Sequence, residues 1–231
     1  MLKQGLIGLL LWFCAGLAVA ADNRNLAPGF FNLPLGARVA LMQPDIELFS
    51  LSAGGITEPR ADWTDAALQH VRRAVRLKTG RQGLSLREVS EDEADELAEI
   101  NALHAAVANA IAMHHLGPSN LALPTKNGQL DWSLGEAVLP LQQRSGSDYA
   151  LFIWMRDSYA SAERKVAMVA MALLGVGITA GFQAGYASLV DLRSGQVLWF
   201  NRMFRGSGDL REAASADETV QTLLKNFPGS L

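Results

Sequence analysis

Apolar residues follow strand spacing at both ends of residues 148–204 and run almost without interruption in the middle. Residues 148–155 read Asp-Tyr-Ala-Leu-Phe-Ile-Trp-Met, an apolar run of strand length. A nearly uncharged tract spans 166–182, and two alternating runs, 186–192 and 196–201, flank the turn Arg193-Ser194-Gly195. This pattern predicts a strand, an apolar helix or helix-loop, and a β-hairpin with Gly195 as its turn glycine. On the second hairpin strand Val197, Trp199 and Asn201 alternate with Leu198 and Phe200. Both of its faces carry apolar groups, so both need covering, by the chain itself or by a partner.

Ahead of this stretch, Arg38 to Met42 predict a first strand closed by Pro44, and Ile46, Leu48 and Leu51 an extended segment reaching the turn Gly54-Gly55. Asp62 is positioned to cap a helix that ends at Thr79-Gly80, with Trp63, Ala67, His70, Val71, Ala74 and Leu77 along one face. Residues 84–89 alternate and predict a strand. Ser90 to Glu93 form a capping box for a helix reaching His115, and the acids from Glu91 to Glu96 suit its positive end. Ser133 to Glu136 and Ser215 to Glu218 match the same box, and Pro140 is expected to kink the helix that follows the first of them.

The tract 166–182 admits two readings. Val166, Ala167, Met168, Val169, Ala170, Met171, Ala172, Leu173 and Leu174 favour helix, and a helix apolar all round must lie in protein or lipid. Gly175, Gly177, Gly181 and Gly185 break the tract and leave it short for a bilayer. A core helix or helix-loop is the first expectation, and an element contacting a membrane or partner the second. Val166, Met168, Met171, Leu174, Phe182 and Trp199 are then the candidate interaction residues. A dinucleotide fingerprint at Gly175–Gly181 would need a strand before it and a helix after it, and the pattern here is the reverse, so these read as packing glycines.

Composition narrows the function classes. The 231 residues are 49% hydrophobic and 19% charged, enough for one substantial core, and the formal charge of −3 argues against a nucleic-acid partner. At the amino terminus Lys3 precedes the apolar run 6–17 and the small-residue site Ala18-Val19-Ala20, the layout of a secretory signal peptide over 1–20. Cys14 falls inside that run with Phe13 before it, so it reads as an apolar residue lost on cleavage rather than a lipidation site. Residues 21–36 form an extended leader with Phe30 and Phe31 as anchors, and 37–231 a single domain. The mature chain then holds no thiol for a disulfide, a metal or a nucleophile.

Polar candidates are few. His104 and His115 share a helix face but lie about 16 Å apart along its axis, and His114 diverges from His115 by about 100°. With Lys126 and Asp131 they make up the alternative polar site, for a periplasmic metal-binding protein or hydrolase, although no carboxylate stands at ligand spacing. No Gly-x-Ser-x-Gly elbow occurs. No cofactor is called for.

The hairpin from Ala187 to Trp199 resembles one found in the superfamily of the curli secretion channel and the penicillin-binding-protein activator lipoproteins, in which a strand opening Asp-Tyr, like Asp148-Tyr149, precedes it. Over almost all of the mature region, including His114-His115, residues 123–126, residues 157–161 and residues 199–202, the chain more closely resembles a family of exported proteobacterial proteins that brings no activity with it. The resemblance implies an α/β (α+β) domain with a mixed sheet and a non-enzymatic role in the cell envelope, and carries over no catalytic residues. The expectation is a periplasmic accessory protein, with outer-membrane association as the finer expectation, that contacts envelope proteins, itself or the membrane surface.

Overall fold

The computed structural model describes residues 24–230, so the signal-peptide reading of 1–20 and Cys14 lies outside the described residues. Strands β1 (Arg38–Leu41), β2 (Asp45–Leu51) and β3 (Thr57–Pro59) precede helix α1 (Ala61–Gly80). Then come β4 (Ser85–Glu88), α2 (Glu91–Glu96), α3 (Ala98–His114) and α4 (Leu139–Ser145), leading into the long strand β5 (Tyr149–Ala160). Helix α5 (Ala162–Leu173), the hairpin β6 (Gln183–Asp191) and β7 (Val197–Arg205), and α6 (Ala213–Leu223) complete the order.

The strands form one seven-stranded mixed sheet, as the resemblance implies. One edge of β5 pairs antiparallel with β6, which pairs in turn with β7. The other edge takes two strands in succession. β1 pairs parallel up to Leu41↔Leu151, and β2 resumes at Asp45↔Trp154. Residues 42–44 therefore link β1 to β2 opposite only Phe152 and Ile153. β4 extends the sheet beyond β1, and β3 beyond β2.

Helices cover both faces. Leu151, Ile153 and Met155 share a core with Val39, Leu189, Val71 and Val75 of α1, and Val220 and Leu223 of α6. Ala150 and Phe152 share the opposite core with Met42, Val190, Phe200, Ile100 and Ile111 of α3, and Leu141 of α4. A strand buried on both faces accounts for the unbroken apolar run of β5. Each large aliphatic side chain placed in these cores contributes about 1.5–3 kcal/mol.

Several local expectations change under tertiary contacts. The Ser90–Glu93 capping box forms, with Glu93 N–H donating to Ser90 Oγ at 3.3 Å and Ser90 N–H donating to Glu93 Oε2 at 3.0 Å. The helix behind it breaks at Leu97. Ser133 starts no helix. Its residue bridges Gln196, and its hydroxyl accepts Gly135 N–H at 2.9 Å and donates to the Ser194 carbonyl at 3.3 Å. Pro140 lies in the first turn of α4, where its missing N–H is not needed, so it does not kink the helix. Ser215 is inside α6 and accepts Asp209 N–H at 2.6 Å instead of capping. Arg60, not Asp62, is the N-cap of α1. The leader packs through residues other than the expected pair as well: Leu26 bridges Trp199, Leu33 bridges Ser230, and Leu33 is fully buried. Phe30 packs on the core, while Phe31 is exposed.

Candidate functional site

Helix α5 lies between β5 and β6 in the chain, and this is where the first expectation for the apolar tract fails. Ser161 caps it, accepting Arg164 N–H at 3.2 Å. Arg164 is its one buried residue. Val166 is 70% exposed, Val169 65%, Leu173 85% and Leu174 76%. β5 runs on to Ala160, beyond the predicted strand end, and both of its faces are already covered. The tract therefore leaves the end of the sheet instead of entering a core layer.

Of the six candidate interaction residues, Val166, Leu174 and Phe182 are exposed, and Met168 and Met171 are half-buried. Phe182 stacks on Phe204 with ring centroids 5.9 Å apart, and both rings are open to solvent. Trp199 is corrected to a core residue, fully buried and packed edge-on against Phe227 at 5.1 Å. On β7 strand spacing made it apolar, and the leader and α6 side of the molecule covers it.

The projecting segment is tied down at its ends. Arg164 Nε and Nη2 each donate to the Thr179 carbonyl at 3.0 Å, and Nη1 donates to the Ser52 carbonyl at 3.1 Å. Phe182 N–H donates to Ser158 Oγ at 3.0 Å. Gly181 has φ +157, and a Cβ there would fall 1.8 Å from the Ser158 carbonyl oxygen, so the close approach requires glycine.

Beneath this segment is a cleft of about 310 Å³, lined by Asp157, Tyr159, Lys165, Met168, Phe182 and Arg211 among others. Asp157 is buried and accepts hydrogen bonds from the Tyr159 hydroxyl and from Gln183 Nε2, the latter at 2.5 Å. Burial raises its carboxyl from 3.8 to about 6, and burial also pushes the Tyr159 phenol up. Tyr159 Oη accepts Leu210 N–H at 2.7 Å, and Gln183 Oε1 accepts from Arg205 Nε at 2.8 Å and Thr219 Oγ1 at 3.2 Å. Arg211 lies over the Tyr159 ring at 4.0 Å and pairs with Asp209 at 2.6 Å. This network joins β5, β6, β7 and α6 at the base of α5. Sequence reasoning passed over it, although strand alternation places Met155, Asp157 and Tyr159 on one face and so turns a carboxylate inward.

The alternative polar site does not assemble. His104 is buried, stacks on Phe152 at 3.9 Å, and its Nε2 is 2.5 Å from Ser188 Oγ. Burial pushes His104 down to about 3, and Ser188 is itself only 1% exposed, out of reach of a substrate. His114 Nδ1 donates to the Leu121 carbonyl at 2.7 Å, and His115 Nε2 donates to the Arg24 carbonyl at 2.6 Å. Lys126 and Asp131 form an ion pair at 3.7 Å. Only that pair meets. Among the described residues no group of three or more His, Cys, Asp or Glu is placed to hold a metal ion, and no helix is long and apolar enough to cross a membrane.

No family model matches this chain, and no curated protein sequence matches it. Among solved structures it is similar to the PelC dodecamer from Paraburkholderia phytofirmans, with 12% identity and a TM-score of 0.43 over 87% of this chain and 94% of that one. It is also similar to lipoprotein GNA1162 from Neisseria meningitidis, with 14% identity and a TM-score of 0.31 over 73% and 79% of the two chains. The LpoB C-terminal domain from Salmonella enterica follows, with 13% identity and a TM-score of 0.29 over 78% and 87%. These likenesses concern the path of the chain and carry no argument about activity.

Proposed function

We propose that this chain is an exported cell-envelope accessory protein that acts by docking a protein partner through α5 and the loop behind it. One observation carries the reading: α5 buries only Arg164 while exposing Val166, Val169 and Leu173. Covering side chains of this kind is worth roughly 1.5–3 kcal/mol each, and the described residues leave them uncovered. Met168 and Met171 add adaptable contact surface, and the Phe182–Phe204 stack offers an aromatic anchor. The signal-peptide pattern at 1–20 supports export to the envelope.

The test is a size measurement with chemical crosslinking on the mature chain, alone and in envelope extract, beside a Leu173→Glu variant. The reading expects a larger species that the variant loses while its melting temperature stays unchanged. A strictly monomeric protein that forms no crosslinked species in extract removes the reading. Flotation with lipid vesicles in place of any protein complex would assign the face to the membrane surface instead.

A further inference from the structure

The outermost strands of the sheet are β3, β4 and β7. An edge strand presents a row of unpaired N–H and C=O groups, and soluble proteins blunt such edges with short strands, proline or charge. β3 is three residues long and ends at Pro59, which has no N–H to offer. β4 carries Arg87 and Glu88, each in an ion pair, with Glu93 and Arg76 respectively.

β7 is guarded over only part of its length. The leader covers the first part: Ala27 N–H donates to the Leu198 carbonyl and Phe200 N–H to the Asn25 carbonyl, each at 2.9 Å. Backbone groups alternate between the two edges of a strand, so Arg202 and Phe204 turn their N–H and C=O to the same side as Leu198 and Phe200. Among the described residues none pairs with them there, since beyond β6 this strand bridges only Leu26. The nearby charges are used elsewhere. Arg202 donates to the Ala112 carbonyl at 2.9 Å and to the Leu116 carbonyl, near the end of α3. Arg205 Nε turns to Gln183 Oε1 at 2.8 Å.

The open stretch adjoins the α5 face. Phe204 is 77% exposed and stacks on Phe182, where the chain returns from α5. Arg202 stands two residues away on the same side of the sheet, and its guanidinium is bonded to carbonyl groups with no carboxylate among its partners. The edge thus offers backbone donors and acceptors, an aromatic ring and an uncompensated positive charge. An extended segment already fills the adjacent part of the same edge, which sets the form of what fits the rest.

We propose that Arg202–Phe204 takes up an extended segment of the docked partner as a further strand. An apolar residue of that segment covers Phe204 and Phe182, and a carboxylate two residues from it pairs with Arg202. The inference deepens the docking reading for α5 and rests on it, since one partner makes both contacts. A second copy of this chain is a poorer occupant: β3 and β4 are guarded, and β7 holds no carboxylate to meet Arg202.

Amide NMR of the full mature chain tests this with a defined probe, the end-capped peptide Thr-Val-Thr-Asp-Thr-Val-Thr. Saturating peptide should slow exchange of the Arg202 and Phe204 amides about tenfold and leave Met203 and Arg205, which face β6, unchanged. Lysine in place of the aspartate should weaken binding about threefold or more, and N-methylation of the peptide's valines and aspartate should abolish it. Phe204→Pro removes an N–H that no strand of this chain bonds, so it should fold by circular dichroism and lose binding, while Phe204→Ala keeps part of it. No saturable binding at millimolar peptide, protection that misses these two amides, or equal binding of the N-methylated peptide overturns the proposal. Protection of both amides that grows with protein concentration in the absence of peptide overturns it in favour of a second copy. Absence of peptide binding beside an intact crosslinked species, the one that Leu173→Glu abolishes, strikes the edge strand alone, whereas absence of that species strikes the docking reading.

Discussion

The guanidinium of Arg164 holds the Thr179 carbonyl through two N–H groups, each at 3.0 Å, and so joins the first turn of α5 to the end of the loop that returns from it. The third contact, to the Ser52 carbonyl at 3.1 Å, fixes both to the end of β2. The one buried residue of α5 is therefore a cation that binds backbone. The apolar residues around it are left for other contacts.

Arg164→Ala should loosen the segment more than the domain. Each charge-assisted hydrogen bond lost is worth about 1.5–3 kcal/mol locally. Hydrogen exchange should accelerate across residues 162–182 while β5 and β6 keep their protection. Arg164→Lys should restore little, because one ammonium cannot reproduce the planar fork. Equal acceleration throughout the sheet would mean that Arg164 supports the whole fold rather than the insert.

Asp157 should make the protein less stable as pH rises. Its folded value of about 6 exceeds the ordinary 3.8, so the folded state binds this proton more tightly. Its contribution is fully present below pH 3.8 and is lost as pH rises to about 6, a change of about 3 kcal/mol. Asp157→Asn removes that penalty, and its melting temperature should exceed the wild type's at pH 7 by more than at pH 4. A constant difference between the two proteins would contradict this.

His104 acts with the opposite sign. Its folded value of about 3 lies below the ordinary 6.5, so its contribution is present above pH 6.5 and lost as pH falls toward 3. The imidazole resonances of His104 should stay neutral between pH 5 and pH 8. A His104→Gln variant should lose less stability than the wild type on acidification, leaving the rise due to Asp157 visible. Titration of His104 near its ordinary value would show that its pocket is open to water.

The two glycine turns at Gly195 and Gly146 should respond differently to alanine. Gly195 has φ +72, and a Cβ there would lie 2.2 Å from the Gly135 carbonyl oxygen, next to the bond from Leu134 N–H to the Gly195 carbonyl at 2.8 Å. Gly146 has φ +60 but open space around it. Gly146→Ala should cost about 1 kcal/mol, the backbone penalty alone. Gly195→Ala should cost more than about 2 kcal/mol, since backbone must move as well. Denaturant unfolding of both variants decides it.

The sheet was legible because strand alternation and turn chemistry are local: β5, the hairpin and Gly195 follow from neighbouring residues. What failed depends on distant contacts. Ser133 and Ser215 match a capping pattern, but a strand bridge to Gln196 and the Asp209 amide claim them first. The composition of residues 166–174 shows that they need cover, but not whether residues 24–230 supply it. Trp199 and Leu173 are both apolar, and only the tertiary structure separates the buried one from the exposed one.

The most direct measurement is photo-crosslinking in intact envelopes from a probe residue placed at Leu173, with a second probe at the exposed Leu77 of α1 as control. The account predicts a discrete protein adduct from position 173 and none from position 77. No adduct from position 173, or the same adducts from both positions, would contradict it.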